Sequence, residues 1–344
     1  MNSKERVLTT FQFKEPDRVP CWLGASPEFI HMAIDELQLQ DEEELLQRFG
    51  DDFRRIIAPY RFENHENMNL TPFGIKREGY GYGMAVNHPL SSAEKGEVAS
   101  YSWPDPDRVD LSDCRKDAEK HFNDYAILGG DWSPFWHDLI DLLGMENMFI
   151  KMYMEPELVH NILERIVGYY LEVNMKIFEE AADLFDIFFI GNDFGSSTGA
   201  LIDVGLFDIF IKPQLERLVS LGHAYNLKVM LHCCGGFREL IPSMIDSGLD
   251  GVHAVQPSCR GMELKKLKYD FGDKIVFNGC IDSHHVLING SPDFVRNETL
   301  KTMDIMKPGG GFIAGASHDY LLETTPVENV LTMFETIQNH GYYE

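Results

Sequence analysis

The 344-residue chain is short of cysteine, with six, and of cationic side chains, with 30 Lys and Arg against 55 Asp and Glu. Six thiols in this length exclude a disulfide scaffold and fit reduced cysteines. A formal charge of -25 repels phosphate backbones, so nucleic acid is not an expected partner. Long apolar runs are also missing: no stretch approaches the ~20 residues that span a bilayer, so no membrane partner is expected. The opening Met1-Asn2-Ser3-Lys4-Glu5-Arg6 leads into an amphipathic segment with no export signal's apolar core. These absences together predict a soluble, cytoplasmic protein.

What is present is a core. Hydrophobic residues make up 44% of the chain and aromatics 12%. Residues from about 60 to 123 are irregular, with Tyr80-Gly81-Tyr82-Gly83 and Trp103-Pro104-Asp105-Pro106 marking turns or a flap. From about Asp124 the pattern becomes regular. Apolar runs at Tyr125 to Asp131, Leu184 to Asp193, Leu227 to Gly235, Gly251 to Pro257, Lys274 to Asp282 and Gly311 to His318 alternate with helical patterns such as Pro156 to Ala182 and Pro292 to Met306. With Arg18 to Leu23 in front, and an eighth strand placed within Gly50 to Pro59, strand-helix alternation predicts a (β/α)8 barrel in one domain spanning 1–344. A doubly wound sheet is the weaker reading, since no G-x-G-x-x-G follows the first strand. Asp41-Glu42-Glu43-Glu44 reads as the start of a helix, where acidic residues complement the dipole.

Chemistry concentrates at Leu231-His232-Cys233-Cys234-Gly235-Gly236. Imidazole and thiolate two residues apart form a zinc-type donor set, and on a strand they share a face while Cys233 points away. The glycines that follow are expected to let a ligand approach. In a barrel the strand C-termini converge on one catalytic face. That rim carries Trp22, Asp131 and Trp132, Asn192 and Asp193, His232 and Cys234, Gln256, Cys280 and Asp282, and Ser317, His318 and Asp319. The bland alternatives stay open beside these roles: buried thiols as core filler, with Cys280 a small residue lining the barrel, and Asp193 or Asp282 as helix caps. Cys21, Cys114 and Cys259 read as structural or exposed thiols.

The chain resembles the uroporphyrinogen decarboxylase superfamily from Lys4 onward. The resemblance is carried by Arg6-Val7-Leu8 with Pro16-Asp17-Arg18-Val19-Pro20, by His232-x-Cys234-Gly235, by Val255-Gln256-Pro257 and Phe271-Gly272-Asp273, by Asn278-Gly279-Cys280-Ile281-Asp282, and by Gly309-Gly310-Gly311-Phe312-Ile313 through Ser317-His318 to Thr325-Pro326-Val327-Glu328-Asn329. It implies a (β/α)8 barrel of that type and allows a homodimer. Decarboxylases of the family resemble one another in an arginine-rich R-x-A-G-R stretch; here the region reads Trp22-Leu23-Gly24-Ala25-Ser26-Pro27.

The chain is more similar to the corrinoid-dependent methyltransferase branch, whose zinc is held by a His-x-Cys pair and a third ligand. That resemblance implies zinc on His232 and Cys234, with the third position at His318 or Cys280. Methyl transfer needs either a strong thiolate acceptor or a donor with an activated leaving group, and zinc serves either. The expected function is a zinc methyltransferase between a small donor, such as a methyl ether, and a corrinoid protein. A methylcorrinoid:thiol methyltransferase and a metal-free decarboxylase are the alternatives. Asp193 and Asn192 are the expected catalytic pair, and Trp22, Trp132, Phe194, Gln256, Asp282 and Tyr320 the expected substrate walls. No D-x-H-x-x-G cobalamin signature occurs, so the corrinoid is expected on a partner protein.

Overall fold

Each apolar run ends in a strand, and the strands close around a single axis. In a computed structural model describing residues 1–62, 70–79 and 83–343, eight strands form one parallel sheet. They are β1 (Cys21–Trp22), β2 (Phe53–Arg55), β3 (Ala126–Gly129), β4 (Ile187–Gly191), β5 (Lys228–His232), β6 (Gly251–Val255), β7 (Val276–Ile281) and β8 (Phe312–Ala316). β2 follows β3, β4, β5, β6, β7 and β8 across the sheet to β1, the strand order of a (β/α)8 barrel. β2 lies inside the Gly50 to Pro59 window. The expected turn at Tyr80-Gly81-Tyr82 falls outside the described residues.

Helices cover the outside because their apolar positions recur at helical spacing. The longest, Pro156–Ala181, buries Leu158, Val159, Ile162, Leu163, Ile166 and Val167 in turn in the main apolar cluster. Glu42–Phe49 is capped by Asp41, whose side chain accepts from the Glu44 N–H, as the acidic cluster suggests. No helix among the described residues is long and apolar enough to cross a membrane, and all six cysteines are free.

Inside the barrel, Trp22, Phe53, Ala126, Leu128, Ile187, Phe189, Met230, Val276 and Ile313 pack into one cluster. The first helix, Ser3–Thr10, contributes Val7 to it, and Phe11 follows. Phe11 approaches Gly251 at the N-terminal end of β6, so the helix plugs the floor.

The seam between β1 and β2 is closed largely by side chains. The Asp52 N–H donates to the Cys21 carbonyl at 3.0 Å, and the Asp52 carboxylate accepts from the Cys21 N–H at 2.7 Å. Asp51 accepts from the Leu23 N–H at 2.6 Å. Arg6 and Arg18 both hold Asp52, at 2.6 and 3.0 Å. Asp17 in turn holds Arg6. The Arg6 and Asp17-Arg18 elements of the resemblance therefore work as the clasp of the barrel.

Candidate active site at the barrel mouth

The period-2 geometry of a strand puts Phe189, Asp193, Met230 and His232 on the inner side. At the C-terminal end this brings together three ligand types. The His232 Nε2 lies 3.2 Å from the Cys234 Sγ and 3.5 Å from Asp193 Oδ1. The same Asp193 oxygen accepts from the Cys234 N–H at 2.6 Å, fixing the sulfur's loop. Asp193, His232 and Cys234 each offer one ligand atom within 4.8 Å of the others. One carboxylate, one imidazole and one thiolate suit zinc.

Electrostatics favour the charged forms here. Burial opposes ionisation of Cys234, yet His232 and His318 beside it lower its thiol below the ordinary value. Burial likewise opposes a charge on His232, but Cys234 and Asp193 raise its affinity for a proton well above the usual. Asp193 is desolvated, and its contacts with His137 and His232 nonetheless hold it far below the usual carboxylate range. His318 is raised, first by its hydrogen bond to Cys234. Its Nδ1 accepts from the Tyr320 N–H at 3.0 Å, which leaves Nε2 as its donor.

Behind His232 lies His253 on β6, fully buried and paired with His232 in strand register. The two Nδ1 atoms are 3.0 Å apart. Burial and the neighbouring His232 keep His253 well below the ordinary histidine range. Its Nε2 finds no hydrogen-bond partner, and Asp319 Oδ1 stands 3.7 Å away. His232, His253 and Asp319 form a second candidate donor set that shares His232 with the first.

Several residues expected at the rim are turned away from the mouth or held by contacts within the protein. Asn192, adjacent to Asp193, must face the opposite side; its Oδ1 accepts from the Trp136 N–H at 2.8 Å and its amide donates to the Ser133 carbonyl at 3.3 Å. It braces the β3 loop. Phe194 is fully buried against Trp136 and Phe207 under the outer helices, not in a substrate wall. Cys280 packs in the outer apolar layer, and burial raises its thiol against a smaller opposing influence from Lys268. Positive φ at Gly279 and Cys280 breaks the strand's alternation there, so Cys280 supplies no third ligand. Asp282 accepts from the His285 N–H at 2.6 Å as a helix cap. Gln256 accepts from the Gly235 N–H at 2.9 Å and so supports the sulfur's loop. Of the aromatic residues, Trp132 leans on His232 at 5.2 Å between ring centroids and Trp22 on His253 at 4.8 Å. Tyr320 is 38% exposed beside them.

The glycines after Cys234 admit main chain rather than ligand. A Cβ on Gly235, whose φ is +85°, would lie 2.5 Å from the Gly195 carbonyl carbon. The Gly236 N–H donates to the Ser196 carbonyl at 2.7 Å, locking this loop to the ribbon Gly195–Ser196 with Gly199–Ala200.

His253 and Arg55 are the functional candidates that the motifs do not mark, and Asp319, placed on the rim by its strand end, joins them. His253 had a legible signal, the same inward parity on β6 that His232 has on β5. A cavity of about 630 Å³ opens beside the site, lined by Trp22, Gly24, Phe53, Arg55, Asp319 and Tyr320 among others. It meets the donor cluster through Asp319 and does not include His232 or Cys234.

The sequence model of the uroporphyrinogen decarboxylase (URO-D) family matches residues 118–340, well over half of the chain. A solved structure of a methyltransferase from Methanosarcina mazei is similar with a TM-score of 0.71 and 18% identity, over 98% of this chain and 99% of that one. At that identity the likeness concerns the barrel. No curated protein matches the sequence.

Proposed function

This chain belongs to the uroporphyrinogen decarboxylase family, and from that premise we propose that it is a zinc-dependent methyltransferase moving a methyl group between a small donor, such as a methyl ether, and a corrinoid on a separate protein. The observation that carries the reading is the meeting of Asp193, His232 and Cys234 within ligand distance at the barrel mouth. The donor set fits zinc in type and number, with three protein ligands as in catalytic zinc sites. Asp193 takes the third place in this reading, and His318 binds the sulfur instead. Bound there, zinc would supply Lewis acidity toward the leaving atom of the methyl donor.

The chain's own residues set the conditions. The Cys234 N–H fixes Asp193, and Asp193 stands beside His232. The hydrogen bond from His318 draws charge from the Cys234 sulfur. One thiolate so tempered donates less electron density than two, which favours activating a donor over activating a thiol acceptor. Trp22 and Trp132 form apolar walls that keep water from the transferring methyl. A decarboxylase for polycarboxylated substrates would need cationic clamps on the β1 loop, where Trp22 to Pro27 supplies none.

Metal analysis of protein purified reduced and without chelators tests the reading. About one zinc per chain is expected, lost in His232→Ala and Cys234→Ala. Zinc-free protein, or zinc protein that demethylates no donor in the presence of cob(I)alamin, overturns it.

A further inference from the structure

Arg55 is the one arginine of the β1–β2 clasp region without a carboxylate. Arg6 and Arg18 hold Asp52. Arg54, next to Arg55 and pointing to the other side of β2, forms a two-point pair with Glu43 at 2.7 and 2.8 Å. Arg55 makes no ion pair or side-chain hydrogen bond among the described residues, and it is exposed at the barrel mouth.

Its guanidinium lies over two rings, 5.0 Å from the Trp132 centroid and 5.3 Å from that of Phe189. Stacking engages the face of a guanidinium and leaves its in-plane N–H donors unspent. Arg55 lines the cavity that also holds Trp22, Asp319 and Tyr320. The Trp22 indole N–H, buried in the same wall, likewise has no acceptor. Two carboxylates stand in its surroundings, neither within ion-pair distance of it: Asp131, which feels its charge and whose Oδ1 accepts from the Ser133 N–H at 2.7 Å, and Asp319, which faces His253 at 3.7 Å.

The geometry points to Arg55 as the anchor for a carboxylate on the small molecule handled at the barrel mouth. A planar carboxylate matches the guanidinium fork with two parallel hydrogen bonds. One indole, that of Trp132, separates Arg55 from the His232 imidazole. The ligand therefore spans about one aromatic ring, with its carboxylate on Arg55 and its methyl-bearing atom toward Cys234. This assignment rests on the methyl-transfer reading of the mouth for the role of the far end, but not for the anion site itself.

The probes are 4-methoxybenzoate and its neutral counterpart 4-methoxybenzamide, titrated calorimetrically into the zinc-loaded protein without corrinoid. The benzoate is expected to bind at least about tenfold tighter than the amide. Arg55→Gln is expected to erase that preference while leaving amide binding, zinc content and melting temperature unchanged, and Arg55→Lys to restore part of it. Equal binding of the two probes, no binding of either, or a preference that survives Arg55→Gln overturns the assignment. A methyl-transfer assay that fails while the carboxylate preference holds would count against the proposed reaction alone.

Discussion

The His232 and His253 imidazoles face each other through their Nδ1 atoms at 3.0 Å, so one of the two nitrogens must carry the hydrogen. His253 is held neutral by burial and by its neighbour. His232 presents its Nε2 to Cys234 and Asp193. The consistent assignment has His232 Nδ1–H donating to His253, with the His253 hydrogen on Nε2 toward Asp319. With a metal in place of the Nε2 proton, His253 would fix the tautomer that aims the His232 Nε2 lone pair at the ion.

Replacing His253 with Leu is expected to weaken zinc binding about 10- to 100-fold without disturbing Cys234 or Asp193. His253→Asn, which keeps a polar partner near His232 Nδ1, is expected to recover part of the loss. Chelator competition measures both, and unchanged affinity in the Leu variant refutes the tautomer role.

Cys280 and His318, equivalent as sequence candidates for a third ligand, are expected to part company. Cys280→Ala should keep full zinc stoichiometry and affect only stability, by about 1 kcal/mol, because the thiol fills apolar space. His318→Ala should keep zinc and raise the Cys234 thiol only part of the way toward its ordinary value, since His232, the larger lowering influence, remains while the His318 hydrogen bond is gone. The alkylation rate of Cys234 against pH reads the second effect in chelated protein.

The barrel seam should be the costliest place to alter charge. Asp52→Asn leaves Arg6 and Arg18 facing a neutral amide in a buried site, and breaking such a pair costs about 3–5 kcal/mol. Urea denaturation of the variant gives the value; a loss below about 1 kcal/mol shows the clasp to be dispensable.

Asp138 gives stability a pH dependence of definite sign. Burial pushes its carboxyl up to about 7, against the opposing hydrogen bond from Tyr170, while an unfolded aspartate titrates near 3.8. Between those values the unfolded chain loses a proton that the folded chain keeps, so stability falls as pH rises, by roughly 1 kcal/mol per pH unit. Asp138→Asn still accepts from Tyr170 and is expected to remove this slope. Parallel melts of the two proteins from pH 4 to pH 7 compare them directly.

The barrel was legible because apolar runs of strand length alternate with 3.6-periodic segments, and even the weakly patterned β2 fell where the count required it. His232 and Cys234 followed from period 2. The same parity, applied strictly, also separates Asp193 from Asn192 and Phe194, since neighbours on a strand cannot face one mouth. Cys280 escaped because positive φ at Gly279 and Cys280 interrupts alternation, a backbone feature no composition reveals. Asp193 as third ligand atom and His253 behind His232 depend on contacts between different strands, and such distances are fixed only when the sheet closes.

The contact of Gly235 with Gly195 makes the sulfur's position the joint property of two loops. Transplanting His232-x-Cys234 onto another barrel would therefore carry over the ligands without their alignment. A working graft must bring the Gly195–Ala200 ribbon with it, and the smallest portable unit of this chemistry is a pair of adjacent strand ends.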